Sequence, residues 1–174
     1  MRFGFRGAVL FVLLAVVASQ EVVAAELDKG AKELNLSLLL QDTSDAGFYF
    51  NGTGRVGYLV TTAHEVGTLF SLLYVRPDGQ GTIKAGSIGA FYRYNFATTH
   101  ATVLPFLGVA AYTYFGDLRD SVDWGWQTES GLRVLVTQRA SINTTVFWKR
   151  EYISSPWVTG DRVFGATVGF SLFF

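Results

Sequence analysis

The chain has 174 residues, enough for one domain, and 14 basic side chains balance 14 acidic ones, so charge gives no reason to expect nucleic acid as a partner. Cysteine is absent, which excludes disulfides and thiol chemistry, and with only two histidines neither a structural metal nor a cofactor is expected. Aromatics at 16 %, 19 glycines and 3 prolines suit many strands joined by tight turns.

The first element is a leader. Met1-Arg2-Phe3-Gly4-Phe5-Arg6 is basic, Ala8 to Ala18 is an unbroken apolar run, and Val23-Ala24-Ala25 supplies small residues before Glu26. Basic, apolar, then small is the order of a signal peptide, and the apolar run is too short for a spanning helix, which needs roughly 20 residues. We therefore expect a signal peptide over 1–25 and a mature domain over 26–174. Cleavage after Ala25 and cleavage after Ser19 are both compatible with the pattern. Without Arg2, Arg6 and Glu21 the mature chain is close to neutral.

Turn signals then recur at 42–46, 61–64, 77–81, 97–101, 116–123, 137–140 and 154–161, leaving eight segments, most of ten residues or more. A tilted strand crosses a bilayer in about 9–11 residues. The spacing predicts an all-β, eight-stranded antiparallel up-and-down transmembrane barrel rather than βαβ units. An even strand number returns the C-terminus to the side of the N-terminus. The breaks near 62, 99 and 138 then become periplasmic turns, and those near 44, 79, 120 and 158 become outer loops.

Charges test the register, because an Arg or Lys facing lipid at mid-membrane costs about 2–4 kcal/mol. In the second segment Arg55 is in phase with Asn51 and Thr53, opposite Val56, Tyr58 and Val60. In the third, Glu65 aligns with Gly67 and Ser71, opposite Val66, Phe70, Leu72 and Tyr74. In the fourth, Arg93 aligns with Ser87, Gly89 and Asn95, opposite Ile88, Tyr92, Tyr94 and Phe96. In the sixth, Gln127, Glu129 and Arg133 share a face opposite Trp124, Trp126, Leu132, Val134 and Val136. In the seventh, Lys149 and Glu151 join Ser141, Asn143 and Thr145, opposite Ile142, Val146 and Trp148. Arg150 breaks phase near a strand end, where it can snorkel to headgroups. Leu39, Leu59, Leu69, Leu73, Phe91, Leu135 and Phe147 also fall in the interior phase, so the lumen is expected to be packed rather than a wide aqueous channel.

In the last segment Phe164, Ala166, Val168, Phe170, Leu172 and Phe174 face one way, and Gly165, Thr167, Gly169 and Ser171 the other, with Phe173 the bulky exception. A terminal Phe174 with apolar Phe170 and Leu172 at alternate positions before it resembles the C-terminal assembly signal of bacterial outer-membrane barrels. Three further stretches point the same way: Val56-Gly57-Tyr58-Leu59-Val60-Thr61, Gly89-Ala90-Phe91-Tyr92-Arg93-Tyr94-Asn95-Phe96 and Leu104-Pro105-Phe106-Leu107-Gly108-Val109-Ala110-Ala111-Tyr112. Together with the spacing of the segments they cover essentially all of 33–174 and resemble the small eight-stranded outer-membrane β-barrel family, the OmpA/OmpX-like superfamily. The resemblance implies a monomer in the outer membrane of a Gram-negative cell envelope. Its partners would be lipid and lipopolysaccharide, with periplasmic chaperones and the barrel-assembly machinery during biogenesis. The outer loops are shorter than the family's typical ones, so no role in adhesion is carried over.

The chemistry expected of the site follows from the phase. Arg55, Arg93, Arg133 and Lys149 point inward with Glu65, Glu129 and Glu151, and charges in a narrow lumen must pair. They form either a polar core that plugs the barrel or an ion path; the plug is the preferred reading. Tyr74, Trp124, Trp126, Trp148, Tyr152 and Trp157 gather toward the outer loops as an interfacial girdle. Some barrels of this size modify lipid A with a His and a Ser at the outer rim, but His64 and His100 fall in expected periplasmic turns. Gly52-Thr53-Gly54-Arg55-Val56-Gly57 fits the dinucleotide fingerprint yet precedes another strand, so relief of crowding inside a narrow barrel explains it better. The glycosylation patterns at Asn35, Asn51 and Asn143 lie within expected strands and are read as chance. The expected function is a non-enzymatic, porin-like barrel with a filled lumen and a role in envelope integrity. The alternatives are a narrow pore for small solutes or ions, a lipid-modifying enzyme, and a secreted lipocalin-like barrel.

Overall fold

Residues 27–43, 47–76, 81–96, 102–153 and 162–174 are described by a computed structural model, with the backbone alone for 39–43 and 47–48. The expected leader, Leu39's side chain, His100 and Trp157 lie outside the described residues.

Eight strands follow one another: β1 Lys32–Thr43, β2 Gly47–Leu59, β3 His64–Arg76, β4 Ile83–Asn95, β5 Val103–Gly116, β6 Val122–Thr137, β7 Ala140–Ile153 and β8 Arg162–Phe173. Each pairs antiparallel with the next, and β8 returns to β1, closing the barrel. The cause is visible in β5, where Leu104, Phe106, Gly108, Ala110 and Tyr112 are buried while Val103, Pro105, Leu107, Val109 and Ala111 are exposed. Strict alternation with a period of two sends one face to the lumen and the other to the surroundings.

Turn chemistry sets the boundaries. Thr61 Oγ1 accepts hydrogen bonds from the backbone N–H groups of Ala63 and His64, closing the β2–β3 turn. Gly116 ends β5 at φ +76°, a left-handed backbone that a Cβ would strain. The following Asp117 exchanges hydrogen bonds with the backbone of Lys84, tying that outer turn to the start of β4. Irregular pairing at Val122/Trp124 and Leu135/Thr137 marks both ends of the β6–β7 hairpin.

The interior is layered. At the end that holds Lys32 and Phe174, buried Leu27, Leu59, Leu104, Leu135 and Phe173 form an apolar plug. Charged and amide side chains fill the waist. Leu69, Phe91, Ala110 and Tyr112 form a second buried cluster, against which Tyr114 packs.

Candidate functional site

The waist is built from strands that face one another across the lumen, each contributing the side chain its alternation turns inward. Arg55 comes from β2, Glu65 from β3, Arg93 from β4, and Glu129 and Arg133 from β6; all five are buried. Arg55 donates from Nη1 and Nη2 to Glu129 Oε1 and Oε2 at 2.5 and 2.6 Å, a bidentate pair. Arg93 bridges the acids, reaching Glu129 Oε1 at 3.1 Å, Glu65 Oε2 at 3.5 Å and Glu33 Oε2 at 3.6 Å. Arg133 donates through Nη2 to Glu33 Oε2 at 2.6 Å and Glu65 Oε2 at 3.4 Å.

Glu33, on β1, is the member that the sequence reading missed; its side chain is buried and it salt-bridges two arginines. The signal was present in the chain, since Glu33, Asn35 and Ser37 alternate with Leu34, Leu36 and Leu38. With Glu33 included, three carboxylates face three guanidinium groups. Hydroxyl and amide groups extend the network to the final strand: Ser171 Oγ donates to Glu33 Oε1 at 2.5 Å and accepts from Asn35 Nδ2 at 2.8 Å. Asn143 Nδ2 also donates to Ser171 Oγ, and Gln127 Nε2 to Glu129 Oε2. Asn35 and Asn143, two of the glycosylation matches, are therefore buried side chains of this network.

Aromatic rings cover the guanidinium faces. Arg93 Cζ lies 4.4 Å from the Phe106 centroid and 5.6 Å from that of Phe91, while Arg133 Cζ lies 5.1 Å from that of Phe173. Phe173, the bulky exception on the small face of β8, thus closes the network from below. Cation–π contact with a desolvated ring adds to ionic pairing at the edges of the same group.

Lys149 and Glu151 are inward but stand apart from the waist. Lys149 Nζ sits 5.0 and 5.6 Å from the ring centroids of Phe147 and Tyr112. Glu151 accepts a hydrogen bond from Tyr114 Oη.

Two local expectations need correction. His64 is the first residue of β3, not a free turn residue; its Nδ1 lies 2.7 Å from Tyr92 Oη and its ring packs edge-on against Tyr94. Tyr94 in turn meets Phe96 edge to face at 4.9 Å, so His64 belongs to an outward aromatic cluster at the N- and C-terminal end of the barrel. Likewise relief of interior crowding holds for Gly57, where a Cβ would collide with the buried Glu65 carboxylate, but not for Gly52 and Gly54. They face outward, and the hydrogen at Gly54 leaves the notch into which the Phe70 ring fits. The whole fingerprint lies within β2, with no helix after it.

At the other end, Trp124 stacks on Tyr152 at 4.2 Å and Trp126 meets Trp148 edge-on at 5.1 Å, all on the outer wall. Tyr74 lies on β3, near its outer end and partly buried. Between the two aromatic levels the exposed residues are apolar: Leu36, Val56, Phe70, Leu72, Ile88, Leu107, Val109, Leu132, Val146 and Val168. Phe170, Leu172 and Phe174 share that outer face, Phe174 at 69 % exposure. Charge inside and hydrocarbon outside is the reverse of a water-soluble barrel. Neither a family model nor a curated protein matches the sequence. Solved structures do. Neisserial surface protein A (NspA) matches with a TM-score of 0.61 at 17 % identity, over 83 % of this chain and 96 % of that one. The N-terminal β-barrel domain of Pseudomonas aeruginosa OprF matches with a TM-score of 0.53 at 11 % identity, over 84 % and 98 %. The outer membrane protein OprG of the same species matches with a TM-score of 0.51 at 14 % identity, over 87 % and 99 %.

The fold is that of the small outer-membrane β-barrels. Within this fold, the ionic waist spans the bore, and the two aromatic levels bound an apolar belt.

Proposed function

We propose that the protein is a non-enzymatic integral barrel of the outer membrane whose lumen is plugged and whose role is structural, in the integrity of the cell envelope. One observation carries the reading: Glu33, Glu65 and Glu129 meet Arg55, Arg93 and Arg133 across the waist, with guanidinium faces covered by rings. Six mutually neutralising groups at hydrogen-bond and ion-pair distance hold the walls together and obstruct continuous water. The outward apolar belt supports the location, and the resemblance of the C-terminal strand to an assembly signal supports the route. In this reading residues 1–25 are a leader removed on export. Lipid and lipopolysaccharide surround the barrel, and chaperones and the barrel-assembly machinery deliver it as a monomer. His64 sits at the end opposite the outer loops, which argues against lipid A chemistry at that histidine.

Fractionation followed by electrophoresis of heated and unheated samples tests the location. The expected outcome is a membrane-bound band whose migration changes on boiling; a soluble protein without that shift overturns the reading. Planar-bilayer recording tests the plug. Purified protein is expected to give no sustained unitary steps, and steps altered by Arg93→Ala in the wild-type background would favour a narrow pore instead.

A further inference from the structure

The barrel is not closed equally along its height. β1 and β2 pair from Lys32 to Thr43, yet β1 and β8 pair only from Glu33–Phe173 to Ser37–Gly169. Above Gly169, β8 keeps its partner on the β7 side, up to Arg150–Arg162. Its β1-facing edge there has no registered partner. Unpaired backbone at membrane depth is tolerated where it lines a cavity rather than bare hydrocarbon. A cavity is what lies there: a chamber of about 150 Å³ above the waist, lined by Asn51, Ser71, Tyr112 and Lys149 on one side and by Leu38 and Val163–Thr167 at the gap.

The chamber holds unmatched polar groups. Tyr112 is 5 % exposed, and its Oη has no hydrogen-bond partner; neither does Asn51 Oδ1. Among the described residues Lys149 has no carboxylate within salt-bridge distance: the charges of Glu151 and Glu129 act on it from farther off, and its close neighbours are the faces of Phe147 and Tyr112. Outside, an apolar groove of about 750 Å³ runs past Leu36, Phe50, Phe70, Val168 and Phe170, and it shares Ser37, Leu38 and Thr53 with the chamber. The two spaces thus lie on opposite faces of the same stretch of wall, beside the gap.

We propose that this gap is a lateral binding site for a single-chain amphiphile with a carboxylate head. The head enters between β1 and β8 to meet Lys149 and Tyr112, and the acyl chain stays in the outer groove. Size suits a small head: a chamber of about 150 Å³ holds a few waters, room enough for a carboxylate. Charge selects it too, since a carboxylate in the chamber supplies the direct ionic contact that Glu151 and Glu129 do not make with Lys149. The chain is selected by a lining that is nearly all apolar. No bond is made or broken; the site binds.

This proposal rests on the reading of a membrane-embedded barrel, and the test separates the two. Full-length protein in phosphatidylcholine nanodiscs is titrated with palmitate labelled with ¹³C at the carboxyl carbon, and the carboxyl resonance is followed by NMR. The expected result is a second, protein-dependent resonance saturating at one palmitate per chain. Lys149→Met should weaken that binding roughly tenfold, the scale of one charge-assisted contact. Thr167→Trp, which fills the chamber at the gap, should abolish it. Wild-type protein that inserts and shows the heat-dependent migration shift, yet gives no second resonance, overturns the site and leaves the membrane reading intact. A second resonance indifferent to either substitution overturns the assigned position. Protein that fails to insert overturns both.

Discussion

Arg55 on β2 and Glu129 on β6, 74 positions apart, meet across the lumen through two parallel hydrogen bonds of 2.5 and 2.6 Å. The pair joins opposite walls, so its removal is felt by the whole cylinder. Glu129→Ala leaves Arg55 and Arg93 buried without their nearest carboxylate, and breaking a buried pair on one side costs about 3–5 kcal/mol. Urea titration of tryptophan fluorescence in lipid vesicles should show a loss of that size. The double variant Arg55→Met/Glu129→Met should recover most of it, because Glu33 and Glu65 still balance Arg93 and Arg133. Equal losses in the single and double variants would mean that the two residues are not coupled.

A charge placed on the wall reads the depth of the belt. Val109 is exposed midway along β5, whereas Phe96 follows β4 at the aromatic end. Val109→Arg should destabilise the folded barrel in vesicles by about 2–4 kcal/mol, and Phe96→Arg by about 0–1 kcal/mol. Similar values for both, measured in the same urea titration, would contradict a hydrocarbon-facing belt.

The notch at Gly54 makes a packing prediction on the outer wall. A Cβ there collides with the Phe70 ring, so Gly54→Val should lower stability by about 1–3 kcal/mol. Adding Phe70→Ala to Gly54→Val removes the obstacle and should cost less than the two changes summed. Additive losses would place the strain elsewhere.

The alternation of charges made the fold legible in the chain. An Arg or Glu away from a strand end fixes which parity faces inward, as Arg93 does in β4 and Glu129 and Arg133 do in β6. Contacts across the bore were not legible. Which carboxylate meets which guanidinium depends on the stagger of eight strands around the axis, a property no single strand encodes. So Arg133 finds Glu33 and Glu65, while Lys149, in phase with the others on β7, stands above them among aromatic rings. Glu33 is legible by the same parity, since with Asn35 and Ser37 it alternates against Leu34, Leu36 and Leu38. The aromatic ladder Tyr92, Tyr94, Phe96 was readable by the same alternation, but the neighbour that joins it, His64, sits at a strand boundary, where turn signals are least exact.

The terminal residue is open to a direct test. Lys32 and Phe174 exchange backbone hydrogen bonds of 2.8 and 3.0 Å, and the Phe174 ring faces outward. Deleting Phe174 removes both bonds, about 1 kcal/mol each, together with the exposed ring of the assembly pattern. The heat-shiftable fraction in membranes should fall, with unfolded chain accumulating; an unchanged folded fraction would separate Phe174 from assembly.

Because β1 is joined to β8, the first strand of the ring lacks its second neighbour until the eighth has been made. A truncated nascent chain cannot form this ring, and every intermediate carries two bare edges that invite aggregation in water. Exposure of those edges before closure is thus a consequence of connectivity itself, whatever duty the finished cylinder performs.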